Sequence, residues 1–260
     1  MVRSETTRLA ALGKDELFYM PFEHVNEAAR LVIIGITPGP NQITESYELA
    51  STYLRLGWPE ERIIREVKKT ATFGGPQMRP NLVKMLRHFR FRDLLGIARE
   101  EDLWGRNADI LHATSVIPHA AFRGGKMFAG SFDEVLNSAV YRQSFERDFL
   151  PSVAGLGDAY FLALGPTPLA ALRWCGERDI LNSERILGSF PHPSSSGGSQ
   201  VAIYLRERAT TSLREKDPVR NRLDFLKASF DELQASMKRV STQNDDADKP
   251  RFGRPTLPLP

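Results

Sequence analysis

Thiol chemistry is nearly absent from this chain: one cysteine, Cys175, stands among 260 residues. That excludes an internal disulfide, an iron–sulfur cluster on four thiolates and a zinc site built from several cysteines. The ordinary use of such a residue is as a small buried apolar side chain. No run of about eighteen apolar residues occurs, so no membrane-spanning helix is expected. Residues 1–30 carry Arg3, Glu5, Arg8, Lys14, Asp15 and Glu16, with no apolar stretch ahead of a small-residue cleavage site. The expectation is a cytoplasmic protein without a secretory leader. Two catalytic signatures are also missing, the Gly-x-Ser-x-Gly elbow and the phosphate loop ending in Gly-Lys-Ser/Thr. A hydrolase or nucleotide binder of those kinds lacks its usual residues.

What remains is a chain that is 41% hydrophobic and 26% charged, enough for one sizeable core. Its net charge is +3, unevenly placed. Arg62, Arg65, Lys68, Lys69, Arg79, Lys84, Arg87, Arg90 and Arg92 lie within one short stretch in which Glu66 is the sole acid. Basic residues at this density suit a phosphate-neutralising surface. They equally suit a solvated helix face, and the sequence favours neither.

Four short apolar runs end in Pro- or Gly-containing turns: residues 31–36, 109–116, 159–164 and 185–190. Each reads as a buried strand. Helical patterns cover 45–56, 60–69, 80–88, 132–149, 168–174, 201–208 and 219–240, and residues 1–30 read as a mixed, partly helical lead-in. Strands alternating with helices predict an α/β protein, a three-layer α/β/α architecture around a central, mostly parallel four-stranded sheet. One domain is expected over residues 1–240, with a disordered tail over 241–260. In such a sheet, ligands sit outside the carboxyl ends of the strands.

Two loops gather there. Gly35-Ile36-Thr37-Pro38-Gly39-Pro40-Asn41-Gln42 follows the first strand, and Phe190-Pro191-His192-Pro193-Ser194-Ser195-Ser196-Gly197-Gly198-Ser199 follows the fourth. Singly, each is an ordinary Gly/Pro turn or Ser/Gly loop. In order they resemble the motifs of the uracil-DNA glycosylase superfamily. The first is similar to the water-activating motif, nearest in form to the mismatch-specific and single-strand-selective classes. The second resembles the His-Pro-Ser motif. Phe73-Gly74-Gly75-Pro76 is similar to the segment supplying a base-stacking aromatic, and Leu164-Gly165-Pro166 with Ala170 to a strand-to-helix turn between the motifs. The resemblance spans about residues 30–210.

It implies a DNA repair enzyme that flips uracil, or another deaminated base such as hypoxanthine or xanthine, out of DNA. Hydrolysis of the N-glycosidic bond would need no metal and no cofactor. His192 would stabilise the departing base, with Thr37 and Asn41 positioning water and Glu45 a more distant substitute. Phe73, Ser115 and Ile36 would contact the base. Pro38, Gly39, Pro40, Ser194, Ser195 and Gly197 would hold the DNA backbone. The pattern departs from the family at Thr37, where the family has Asp or Asn, and at Ser115, where it has a base-reading Asn. A hydroxyl orients water but is a poor base. The alternative is therefore a weakly active or inactive binder of uracil or abasic DNA. His119, in a loop that reads as solvated, is a remote candidate for covalent attachment to DNA.

Overall fold

The computed structural model describes residues 3–194 and 197–247. In chain order the elements are β1 (Arg8–Leu12), β2 (Asp15–Phe18), β3 (Leu31–Gly35), α1 (Pro40–Arg55), α2 (Glu60–Ala71), α3 (Met78–His88) and α4 (Phe91–Leu95). After two 3-10 turns come β4 (Leu111–Ser115), β5 (Ala120–Arg123), β6 (Lys126–Met127), α5 (Phe132–Asn137), α6 (Ala139–Ser144) and α7 (Leu150–Ala154). The last are β7 (Tyr160–Leu164), α8 (Pro166–Gly176), β8 (Ile186–Phe190), α9 (Gln200–Tyr204) and α10 (Leu223–Ala247).

The protein is mixed α/β around a four-stranded sheet in the order β4-β3-β7-β8. All three pairings are parallel. Strand β3 is buried at every residue because both its faces are covered. Leu31 and Ile33 face a core shared with Leu82, Leu86, Phe91, Leu226 and Phe230, from α3, α4 and α10. Val32 and Ile34 face a second core with Val135, Tyr141, Phe149 and Leu172, from the helices on the opposite side. Continuous apolar runs are what a doubly covered parallel strand requires.

Outside the expected layout is a second, antiparallel sheet in the order β1-β2-β5-β6. The lead-in is thus a hairpin and not a helix, and the segment after β4 is a strand and not a solvated loop. The turn Arg123-Gly124-Gly125-Lys126 has φ of 56° and 77° at its two glycines. Positive φ at both central residues is the geometry of a two-residue hairpin turn, and a Gly-Gly pair was its visible signal. β1 is mostly exposed and carries no alternating pattern, so hydrophobic periodicity does not mark it as a strand.

Helices differ from expectation too: α1 starts at Pro40, ahead of 45, and α9 stops at Tyr204, short of 208. The segment 132–149 breaks at Ser138, whose extended backbone starts a new helix. Ser138 Oγ accepts from the Tyr141 amide at 3.4 Å and donates to Asp15 Oδ2 at 2.7 Å. The last helix continues to Ala247, past the expected tail boundary; residues 248–260 lie outside the described residues.

Asp15 therefore ties the small sheet to the helical layer. It accepts from Arg123 Nε at 2.7 Å as well as from Ser138. Burial raises its pKa, but these hydrogen bonds and the Arg123 charge outweigh burial and hold it below the usual carboxylate value. Asp15→Ala leaves Ser138 without its acceptor and Arg123 with Glu134 alone. The expected loss is about 1–3 kcal/mol of unfolding free energy by urea denaturation, the range for a lost charged hydrogen bond.

Candidate functional site

Because the four central strands run one way, the turns after their carboxyl ends emerge on one rim. There a cavity of about 340 Å³ opens. Gly35, Thr37, Gly39, Pro40, Asn41 and Gln42 line it from the turn after β3 and the start of α1, and Ala113, Thr114 and Ser115 from β4. Leu164 ends β7, His192 and Ser194 follow β8, Phe73 and Gly74 come from the α2–α3 connection, and Met78 opens α3. Phe22 completes the wall from the segment before β3. The volume falls within the usual range for small-ligand sites.

The turn after β3 is held at both ends. Pro40 opens α1, and the Gly39 amide donates to Gln42 Oε1 at 3.1 Å, capping the helix. Thr37 Oγ1 donates to the His119 carbonyl at 2.7 Å and accepts from the Ala121 amide at 3.0 Å. This hydroxyl has spent its only proton on joining the central sheet to β5. Asn41, by contrast, makes no side-chain hydrogen bond among the described residues, and its amide lies over Gly75. A Cβ on Gly75 would approach Asn41 Nδ2 to 2.6 Å, and its φ of +106° already requires glycine. Of the two residues expected to position water, Asn41 is the one with an uncommitted polar group.

The His192 turn is pinned through carbonyl groups. Asn81 Nδ2, from α3, donates to Pro193 O at 2.7 Å, and Gln200 Nε2 donates to His192 O at 2.6 Å. Arg222 Nη1 holds Gln200 Oε1 at 2.9 Å. Gly197 is buried against the Gln200 amide, where any Cβ would collide, so it supports the turn and does not line the cavity. Within the turn, the Ser194 amide donates to His192 Nδ1 at 3.4 Å, and Ser194 Oγ lies 2.9 Å from the same nitrogen. An amide can only donate, so Nδ1 is the acceptor and Nε2 carries the ring proton. Desolvation, then the Arg222 charge, lowers the His192 pKa and favours this neutral form. His192 lines the cavity while remaining an exposed residue.

Phe73 is 4% exposed, sits at φ +52°, and lines the cavity while packing edge-on against Trp104. It is core and cavity wall at once. Ser115, paired with Gly35 at the strand ends, makes no side-chain hydrogen bond among the described residues. Ile36 does not reach the cavity: its side chain packs on the opposite core with Val32 and Ile34. Pro38 is buried away from the wall, and Ser195 lies outside the described residues. Phe22, Met78, Leu164, Asn81, Gln200 and Arg222 were not anticipated. Only the strand end at Leu164 carried a local signal; the others are brought in by packing.

His119 is buried outside this cavity. Its Nδ1 accepts from the Met20 amide at 3.2 Å, and Nε2 lies 3.7 Å from Asp148 Oδ2. It is enclosed where a solvated loop was expected. The basic stretch is also largely spent. Arg65, Lys84, Arg87, Arg90 and Arg92 pair with carboxylates, Arg79 binds the Thr72 and Thr70 carbonyls, and Lys68 is buried. It does not form one uncompensated cationic face. No described helix is long and apolar enough to cross a membrane. Among the described residues no group of three His, Cys, Asp or Glu side chains is arranged to hold a metal ion.

Burial lowers the pKa of His24, His112, His119 and His192, with Asp148 only partly offsetting the effect at His119. Unfolded, each protonates near about pH 6.5. Between that value and the lower folded values the unfolded chain binds more protons, so stability rises with pH. It is fully present above about pH 6.5 and lost as pH falls through the folded pKa values. Glu23, whose carboxyl pKa burial raises, opposes this. The melting temperature should drop between about pH 7 and about pH 5, above the range where aspartates titrate; a flat profile in calorimetry contradicts the assignment.

Comparison with known proteins adds one relative. No family model matches the chain, and no solved structure matches it. It is similar to a Bacillus subtilis (strain 168) protein, "Uncharacterized protein YoxB", at 29% identity over 195 residues, covering 74% of this chain and 75% of that protein.

Proposed function

We propose that the protein is a monofunctional DNA glycosylase with a three-layer, uracil-DNA glycosylase-like fold, acting on uracil or another deaminated base in DNA. The observation that carries this reading is the convergence of the Thr37 and His192 turns on one cavity, with a neutral histidine offering Nε2–H and an uncommitted asparagine across from it. Phe22 and Phe73 give apolar surface for a planar base, and the Ser115 hydroxyl is available to its polar edge.

In this mechanism a flipped nucleotide places its base among Phe73, Ser115 and His192. Water held by Asn41 attacks C1′ as the N-glycosidic bond breaks. The bonding electrons leave with the base, whose oxygen accepts the His192 Nε2–H hydrogen bond, and the proton from water passes to solvent. A fixed neutral donor in a partly enclosed site stabilises the developing anion without reorganising. Gln200 and Asn81 serve as positioning residues, holding the His192 turn through its backbone.

One observation favours a second reading, a protein that binds damaged DNA without cutting it. The Thr37 hydroxyl is committed, and no carboxylate lines the cavity among the described residues. Oligonucleotides carrying uracil, hypoxanthine, xanthine or an abasic site separate the two. Release of a free base supports the glycosylase. His192→Ala should then slow release about 10²–10³-fold, and Asn41→Ala about 10²-fold. Thr37→Ser, which keeps the hydroxyl, should stay close to wild type. Salt-sensitive binding without release at long times supports the binder. Absence of both binding and release overturns both readings.

A further inference from the structure

A second cavity, of about 300 Å³, lies against the outer edge of β4, the edge strand of the central sheet. Leu103, Leu111, Ala108 and Ala113 give it apolar walls, and His24, Lys68, Thr72, Trp104 and His112 give it polar groups. His112 is 1% exposed. The Asn26 amide donates to its Nδ1 at 3.3 Å, so its proton sits on Nε2, and that nitrogen has no partner. Trp104 Nε1 is likewise buried and unpartnered. Lys68 Nζ donates to the carbonyls of Phe22 and His24, at 2.9 Å and 2.5 Å, leaving one of its three hydrogens unspent.

Every unsatisfied group identified in this lining is a donor. Buried donors without acceptors cost free energy, and native structures seldom keep two side by side. Two nearby acceptors are engaged elsewhere, and the buried, unpartnered Asp102 Oδ2 lies outside the lining. The Asn26 carbonyl oxygen takes the Ala28 amide, and Glu23 is hydrogen-bonded to Tyr19. Rim charges cancel, Arg65 and Lys69 against Glu66 and Asp109. What remains uncompensated is the buried Lys68 ammonium, whose pKa burial pushes down to about 7 with Glu23 only partly opposing. A bound anion would complete this set.

We infer that this cavity binds a small organic oxyanion, with its carboxylate or phosphate oxygens on Trp104 Nε1, His112 Nε2 and Lys68 Nζ and its apolar body against Leu103 and Leu111. The site is separate from the one proposed for DNA, and its test does not depend on that reading. The two cavities are neighbours, because Ala113 lines both and the consecutive residues Thr72 and Phe73 line one each. Phe73 also packs edge-on against Trp104, at 6.5 Å between ring centroids.

The test titrates full-length wild-type protein with benzoate, with inorganic phosphate and with neutral benzamide, following the Trp104 indole N–H by nitrogen-edited NMR and the melting temperature in parallel. Trp104→Phe assigns the resonance. The expected result is a shift of that resonance and a raised melting temperature with benzoate or with phosphate, and neither with benzamide. Response to benzoate alone identifies a carboxylate on an apolar body, and response to phosphate identifies the phosphate class. In the Trp104→Phe protein the thermal response should need about tenfold more anion, as the loss of one hydrogen bond to a charged group implies. An unmoved indole resonance with both anions up to about 10 mM, well past the ~1 mM affinity of a weak ligand, overturns the inference. An equal response to benzamide overturns it too.

Discussion

Parallel pairing of β3 with β4 on one side and β7 on the other is the constraint from which the site follows. Strands running one way must be joined by crossovers, and the crossovers bury both faces of the sheet under helices. They also send the turn after every strand to the same rim. The turns at Thr37 and His192 are separated in sequence by most of the chain, yet they meet because β3 and β8 end at the same level of one sheet.

The small antiparallel sheet acts on that rim from outside. Its β5 is fastened to the end of β3 by the Thr37 hydroxyl, which bridges the His119 carbonyl and the Ala121 amide. Asp15 fastens the same sheet to the helical layer through Arg123 and Ser138. A residue expected to handle water is thus part of the framework, and Asn41 is the neighbour left with an uncommitted polar group. On the opposite side of the cavity, Asn81, Gln200 and Arg222 hold the His192 turn from α3, α9 and the turn before α10. Stiff support of this kind makes a hydrogen-bond donor useful, since a site loses rate when its groups must reorganise.

Much of the central sheet was legible locally. Residues 31–36, 159–164 and 185–190 read as strands because apolar runs bounded by Gly or Pro leave few alternatives. The hairpin at Leu12–Asp15 and the turn at Gly124-Gly125 were legible in principle, but β1 and β6 are short and exposed, so hydrophobic periodicity says little about them. The basic stretch was undecided in the sequence for a different reason. Its charge density is a property of the sequence, whereas the partners that neutralise it, such as Glu207 for Lys84 and Glu101 for Arg87, come from other segments.

The sequence by itself determined the parallel α/β core and the two loops at its rim, since strand-length apolar runs and Gly/Pro turns act through neighbouring residues. It also placed Thr37, Asn41, Phe73, Ser115 and His192 in candidate roles. Only the tertiary structure decided which of those polar groups are free. It turned Ile36 to the far core, spent the Thr37 hydroxyl on β5, set the His192 tautomer and left His112 and Trp104 without acceptors. The reason is that hydrogen-bond capacity is shared among groups far apart in the chain, and no local pattern records how it is divided.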